Sequence, residues 1–384
     1  MDRKIRMGMI GGGRGSFIGK VHHTAAILDN QIELVCGAFS SNPVVSKESG
    51  KDYGLSANRV YENYKEMIDM ESKLLEGERM DFVSIVTPNN LHFDPAKLAL
   101  ENGFHVVCDK PMTLNLDEAV ELEKIVGKTG LLFCLTHTYT GYPMVKEAKE
   151  IMKSGGLGKI RKVIVEYIQG WLSKKQEDEG NKQAVWRMDP MRAGISCTMG
   201  DVGVHAFNMA EYLTGLTLEE VAGDLTSFVP GRILDDDGSV LLRFNNGVKG
   251  VLTASQICAG EENNFSIKIY GEKGGLVWNQ MEPNTLFIKW QDKPMETIRT
   301  GWGERAKNAA LHTRVPAGHP EGYIEAFANL YKNFASHLKN ILFNEEYNEK
   351  FDYPDVHAGV RGMAFIEAVV TSSKNNGKWT KLTI

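Results

Sequence analysis

The chain has 384 residues, with 44 basic and 49 acidic side chains and a formal net charge of −5. That near balance excludes a polycation built for nucleic acid or for an anionic membrane, and no apolar run reaches the roughly 20 residues that span a bilayer. Apolar residues at 42% and charged residues at 24% fit a globular protein, and the length predicts two domains, 1–138 and 139–384. The five cysteines, at 36, 108, 134, 197 and 258, have neither metal-ligand spacing nor a disulfide framework. Reduced thiols, no metal and a cytoplasmic location are expected, since Met1–Arg6 runs into a strand without a signal-peptide pattern.

The first part alternates strands and helices. Ile5–Ile10 is a short apolar strand that enters Gly11-Gly12-Gly13-Arg14-Gly15, and Ile18–Asp29 follows as a helix. Ile32–Phe39, Asp81–Val86, His105–Cys108 and Leu131–Leu135 read as further strands, with helical spacing over 95–102 and 116–127. Continuous apolar strands alternating with helices imply a parallel sheet with right-handed crossovers. The strand, glycine turn and helix let backbone approach a pyrophosphate at a helix N-terminus. Gly11 and Gly13 fit the first two fingerprint positions, and the third falls on Ser16. The turn is longer than the standard one, with Ser16, Phe17 and Ile18 inserted as further candidate cofactor contacts. At the end of the second strand, Ser40 and Ser41 stand where a carboxylate would hold the ribose of NAD. Their hydroxyls suit a ribose or a 2′-phosphate; with no arginine directly after that strand, NAD is expected over NADP.

Two further strand exits carry polar groups. Thr87, Asn89 and His92 follow the third strand, where open parallel sheets bind ligands, although a helix-capping turn would read the same way. Asp109-Lys110-Pro111 ends the fourth. A lysine at a buried strand exit is costly unless it is used, and Lys110 is suited to stabilise oxygen charge that develops on a substrate hydroxyl.

After Thr138 the pattern changes. Ile160–Gly170 alternates as a strand, and 221–290 holds several strands split by turn signals. Asn246-Gly247 is a hairpin signal between Val240–Phe244 and Val248–Ser255. The second part is therefore an α+β domain with an open, mostly antiparallel sheet. Lys174–Gln183 reads as an exposed loop. Helices are predicted over 201–213, 322–342 and 355–372. In the first of these, Asp201 and His205 share one face at i and i+4. An imidazole can take a hydroxyl proton near neutral pH, and Asp201 can orient it or bond a neighbouring hydroxyl.

Together these residues resemble the Gfo/Idh/MocA family of NAD(P)-dependent sugar oxidoreductases over essentially the whole chain. The family carries Glu-Lys-Pro, matched here with one conservative departure by Asp109-Lys110-Pro111, and Asp-x-Gly-x-His, matched in full from Asp201 to His205. The resemblance implies a Rossmann domain followed by an α/β domain whose open sheet forms homo-dimers or tetramers. It also implies that Lys110 and His205 are the catalytic pair, assisted by Asp201. The Gly-Ser-Phe-Ile-Gly after the glycine turn, Trp186–Pro190 and Pro316–Gly322 are similar to the levoglucosan dehydrogenase and glycoside 3-dehydrogenase subgroup. That likeness implies oxidation of a pyranose C3 hydroxyl to a 3-keto sugar, in a pocket lined by Tyr139, Gln169, Trp171, Arg187 and His319. Tyr139 and Trp171 serve equally well as core aromatics. The rival readings are a retained-NAD glycosidase cycle, an inositol or polyol dehydrogenase, and a nucleotide sensor without activity, against which Lys110, Asp201 and His205 speak.

Overall fold

A computed structural model describes residues 3–303, 307–346 and 351–384. The chain divides into two units, Met1–Thr138 with Phe327–Val360, and Tyr139–Ala326 with Arg361–Ile384. The boundary at 138/139 is where the strand–helix alternation ends. Cutting only there leaves out residues 327–360, which belong to the first unit.

In the first unit β1 (Ile5–Gly11), α1 (Phe17–Ile27), β2 (Ile32–Ala38), α2 (Pro43–Asp52), α3 (Tyr64–Ser72), β3 (Phe82–Val86), α4 (Phe93–Glu101), β4 (His105–Cys108), α5 (Leu116–Thr129) and β5 (Phe133–Leu135) follow in order. The strands are all parallel, in the order β2-β1-β3-β4-β5. Every residue of β3 and β4 is buried, as their mainly apolar runs require, Ser84 and His105 included. The strand order reverses between β1 and β3, which makes their carboxyl ends the ligand edge of the sheet. Two helices, α2 and α3, are additions to the predicted elements; α3 carries an apolar stripe with buried Met67 and Ile68, but α2 has no counterpart in the hydrophobic periodicity. The residues that α2 buries are Ser46, Ser49 and Gly50, so it has no apolar stripe to read. Its start is nonetheless written in the Asn42 cap and Pro43.

The second unit holds α6 (Pro143–Lys153), β6 (Ile160–Ile168), α7 (Lys182–Arg187), α8 (Pro190–Ala193), α9 (Val204–Thr214), β7 (Leu218–Thr226), β8 (Asp237–Phe244), β9 (Lys249–Ser255), β10 (Asn264–Gly271), β11 (Gly274–Asn279), β12 (Thr285–Trp290), β13 (Glu296–Arg299) and α10 (Lys307–Leu311). Then come α11 (Tyr323–Phe343), α12 (Val356–Lys374) and β14 (Thr380–Lys381). Nine strands form one sheet in the order β13-β12-β11-β10-β6-β9-β8-β7-β14. Every pairing is antiparallel except β6 with β9. The β8–β9 turn has φ of 59° at Asn246 and 79° at Gly247, the left-handed pair that a two-residue hairpin turn demands. The segment 174–183 is a partly exposed loop that runs into α7, tied down by Arg232, whose guanidinium lies 2.8 Å from Glu177 and 3.1 Å from Asp236.

The part of α11 assigned to the first unit explains that assignment. The Tyr331 hydroxyl lies 2.8 Å from Ser84 Oγ of β3 and 2.7 Å from His22 Nδ1 of α1, and Phe334 packs edge-on against Phe82.

Candidate active site

The glycine turn is built for close backbone contact. Gly11, Gly12 and Gly15 have φ of 85°, 76° and 82°, a region that side chains disfavour. A Cβ on Gly19 would lie 2.2 Å from Gly12 Cα. Gly19, and not position 16, is therefore the third fingerprint residue, the one that lets helix and turn touch. Ser16 is the N-cap of α1, accepting from Gly19 N–H at 3.3 Å. The turn is laced to its neighbours: Gly13 N–H donates to Phe39 O at 3.1 Å, and the Tyr53 hydroxyl donates to Gly12 O at 2.9 Å. A Cβ on Gly15 would meet nothing within 4 Å, and Phe17 is exposed, so the approach to the α1 N-terminus is open. These residues fit a dinucleotide pyrophosphate.

At the β2 exit, Ser40 Oγ accepts from Asn42 N–H at 3.1 Å and Ser41 is exposed. Arg14 reaches α2, where Asp52 holds it through two nitrogens at 2.6 and 2.8 Å and Glu48 makes a third contact.

The β3 and β4 exits are joined by His92. Its ring is fully buried, with Nδ1 2.8 Å from Pro111 O and Nε2 2.8 Å from Thr87 O. The sequence suggested a polar group offered to the cofactor; the structure makes His92 a strut between two main-chain carbonyls. Burial lowers its pKa, against the pull of Asp109 and those carbonyls. The Thr87 hydroxyl donates to Leu91 O at 2.8 Å, and Asn89 is buried in the turn that follows β3. Asp109 Oδ1 accepts from Lys110 N–H at 2.9 Å and from Thr136 Oγ1 at 2.8 Å, so the carboxylate braces the turn that carries Lys110. The Lys110–Pro111 bond is cis, and Lys110 is half-buried.

In the second unit, the helix with Asp201 and His205 opens with a π turn over Met199–Gly203 before α9 begins. The extra residue per turn brings positions four apart close to one full turn, and such turns recur at functional sites. Buried Asp235 caps its start, accepting from Ser196 Oγ at 2.9 Å and from the N–H groups of Cys197 and Thr198 at 3.2 and 3.1 Å. Burial raises the pKa of Asp235, opposed by those hydrogen bonds.

Asp201 Oδ2 accepts from Arg187 Nε at 3.0 Å and from Gln256 Nε2 at 2.9 Å. Gln256 Nε2 also lies 3.4 Å from Gln169 Oε1, which accepts from Trp171 Nε1 at 3.1 Å. Gln169 Nε2 donates to Asn263 Oδ1 at 2.6 Å, and that oxygen accepts from the Tyr167 hydroxyl at 2.8 Å. Asn263 Nδ2 donates to the Tyr139 hydroxyl at 3.2 Å, and the two tyrosine hydroxyls meet each other. His205 is buried against the pair, edge-on to Tyr139 with ring centroids 5.0 Å apart. Arg187 also lies over Trp186 at 4.3 Å and Trp171 at 5.8 Å.

Six sequence candidates, Tyr139, Gln169, Trp171, Arg187, Asp201 and His205, thus stand in one contact network. Tyr139 is its buried wall, with only 4% of its surface exposed. His319 is not joined to it: the ring is exposed, with Nδ1 3.1 Å from Pro316 O. Sequence reasoning missed Tyr167, Gln256 and Asn263. The register pairs Ile168 with Ser255 and with Asn264, so the polar residues beside these strand ends converge on one edge of β6, β9 and β10. Polar residues closing apolar strands were the available signal.

Residues 5–137 match the oxidoreductase family with an NAD-binding Rossmann fold, and residues 145–277 match the Gfo/Idh/MocA C-terminal domain. The chain belongs to the Gfo/Idh/MocA family. An inositol dehydrogenase homolog from Azotobacter vinelandii, solved with NAD+, superposes with a TM-score of 0.93 at 34% identity, covering 99% of this chain and 97% of that one. The same homolog, solved with NADH and myo-inositol, gives 0.90 at 32% identity, over 99% and 98% of the two chains. Levoglucosan dehydrogenase of Pseudarthrobacter phenanthrenivorans is 26% identical across 78% of this chain and 81% of its own length. Glucose-6-phosphate 3-dehydrogenase of Bacillus subtilis is 25% identical across 73% and 75%. This member of the Gfo/Idh/MocA family is an oxidoreductase with an NAD-binding Rossmann unit and a mixed, mostly antiparallel second unit. No described helix is long and apolar enough to cross a membrane.

Proposed function

We propose that this protein oxidises a secondary hydroxyl of a pyranose sugar or glycoside, at C3, to the 3-keto sugar. The observation that carries the reading is the Asp201–His205 pair set in a wall of amides and aromatic rings, the mixture that binds sugar hydroxyls and C–H faces. His205 removes the hydroxyl proton, Lys110 stabilises the charge that develops on that oxygen, and Asp201 holds a neighbouring hydroxyl. NAD, when bound, accepts the hydride; the protein supplies position and electrostatics. Gly11, Gly13 and Gly19 with the N-terminus of α1 hold its pyrophosphate, and the Ser40 and Thr87 strand exits flank it. The sugar and phosphosugar dehydrogenases among the relatives favour a pyranose, and the 3-dehydrogenase favours C3. The sheet of the second unit, where Leu241 is 51% exposed, is the face we assign to contact between copies.

A cyclic polyol is the second reading, favoured by the homolog solved with myo-inositol. Absorbance of reduced cofactor, with NAD or NADP against glucose, levoglucosan, inositols and several glycosides, separates the two. NADH growth with a 3-keto product by NMR is the expected outcome. Turnover on inositols alone moves the protein to the polyol reading, and altered sugar without net NADH points to a retained-cofactor cycle. His205→Ala should lose at least about a hundredfold in turnover while still binding NADH; an unchanged rate removes His205 from the mechanism.

A further inference from the structure

We propose that Gln256 is a positioning residue for this reaction, fixing the direction of the Asp201 carboxylate through a buried amide. The proposal rests on the reading of Asp201 as an active-site carboxylate. A primary amide offers two N–H donors at one end and two acceptor sites at the other. At Gln256 both ends are specified. Nε2 faces two acceptors, Asp201 Oδ2 at 2.9 Å and Gln169 Oε1 at 3.4 Å. Oε1 faces two donors, Thr198 Oγ1 at 3.3 Å and Cys197 Sγ at 3.4 Å. Reversing the amide would set its oxygen against a carboxylate, so one orientation survives.

The anchor of the side chain is equally fixed. Gln256 N–H donates to Asp236 O at 3.0 Å, and its carbonyl accepts from Leu172 N–H at 2.9 Å. The residue has no exposed surface, so water does not replace the amide when it is removed. Arg187 Nε and Gln256 Nε2 converge on the same oxygen, Asp201 Oδ2, so loss of the amide removes the uncharged member of that pair of donors. The donor toward Asp201 must also be uncharged and compact, because the guanidinium already balances the carboxylate. Glutamine meets both conditions.

The same amide touches the wall of His205. Gln169 passes the hydrogen bond to Asn263, which donates to the Tyr139 hydroxyl, and the edge of Tyr139 lies on the imidazole. Gln256 therefore sits where the alignments of the carboxylate and of the imidazole meet.

Gln256→Glu and Gln256→Leu in the full-length protein test this. Gln256→Glu keeps the shape but puts a second carboxyl against Asp201 Oδ2, and two carboxylates at that range resist joint ionisation. Carbon-13 NMR of aspartate-labelled protein, with Asp201→Asn for assignment, should show the Asp201 carboxyl titrating about one pH unit or more higher in Gln256→Glu. The low-pH limb of kcat/KM should move with it. Gln256→Leu should lower kcat about tenfold or more with the NADH dissociation constant within about twofold of the parent. An Asp201 titration and pH profile unmoved by Gln256→Glu overturn the proposal. So does a Gln256→Leu loss shared equally by kcat, NADH affinity and melting temperature, which marks a merely structural residue. Should Gln256→Leu fail to fold, the Gln256→Glu titration decides alone. A parent protein that oxidises none of the sugars refutes the sugar reading, while the carboxyl titration still decides Gln256.

Discussion

At the scale of single residues, six of the side chains singled out in the sequence, Tyr139, Gln169, Trp171, Arg187, Asp201 and His205, meet in one contact network. Spacing proposes Asp201 and His205 as a pair because four residues make about one helical turn, and it proposes Lys110 because an ammonium is expensive at a buried strand exit. What spacing cannot show is which glycine faces which backbone. Counting placed Ser16 at the third fingerprint position; the three-residue extension of the turn moves that role to Gly19, whose Cα faces Gly12. A pair of substitutions separates the two assignments. In Gly19→Ala the new methyl would lie 2.2 Å from Gly12 Cα, and backbone must shift. We expect a loss of about 1–3 kcal/mol in urea unfolding and about tenfold weaker NADH binding by fluorescence titration. Ser16→Gly removes only a cap, which glycine replaces at a cost of a few tenths of a kcal/mol. The reverse order of severity would return the fingerprint to position 16.

Elements were legible where burial forces a pattern. The mainly apolar runs of β3 and β4 and the Asn246-Gly247 hairpin carry their structure in their composition. The helix α2 does not, because it buries serine and glycine, and α6 was missed although it starts with a proline at its first turn. The π turn over Met199–Gly203 is also invisible to helical spacing, which assumes one regular helix from Asp201 onward. Its start is held by a residue far along the chain: Asp235, from the loop before β8, takes the N–H groups that open this helix. Asp235→Ala would leave those donors and the Ser196 hydroxyl unpaired in a buried place. A loss of about 2–4 kcal/mol is expected in urea unfolding, together with reduced kcat from displaced Asp201 and His205. Asp235→Asn keeps one acceptor oxygen and should lie between the parent and Asp235→Ala. Equal stability of Asp235→Ala and the parent would mean that the π turn holds itself.

For the whole molecule, periodicity reads which segments are helices but not which sheet each returns to, so the docking of 327–360 on the first unit needed the contacts of Tyr331 and Phe334. The same unit buries four histidines, His22, His92, His105 and His137, whose environment has a consequence across the chain, and burial lowers the pKa of each. Burial pushes His22 and His105 down to about 4 and His137 to about 3. His105 Nδ1 accepts from Leu132 N–H at 2.9 Å, so its fold requires that nitrogen unprotonated. These three are neutral in the folded protein near pH 5, whereas each takes up a proton at about 6.5 in the unfolded chain. The unfolded state binds more protons between these values, so stability rises with pH there. The contribution is complete above about pH 6.5 and is lost as pH falls from 6.5 toward 4. From His22, His105 and His137 alone, the free energy of unfolding should fall by up to about 4 kcal/mol per pH unit near pH 5, and His92 acts in the same direction. Urea unfolding from pH 8 to 4.5 measures this directly. His105→Gln should shallow the slope by up to about one third while leaving the plateau above pH 7 within the range of a core substitution. A slope that His105→Gln leaves unchanged would mean that His105 is already charged in the fold, and the Leu132 N–H would then need another acceptor.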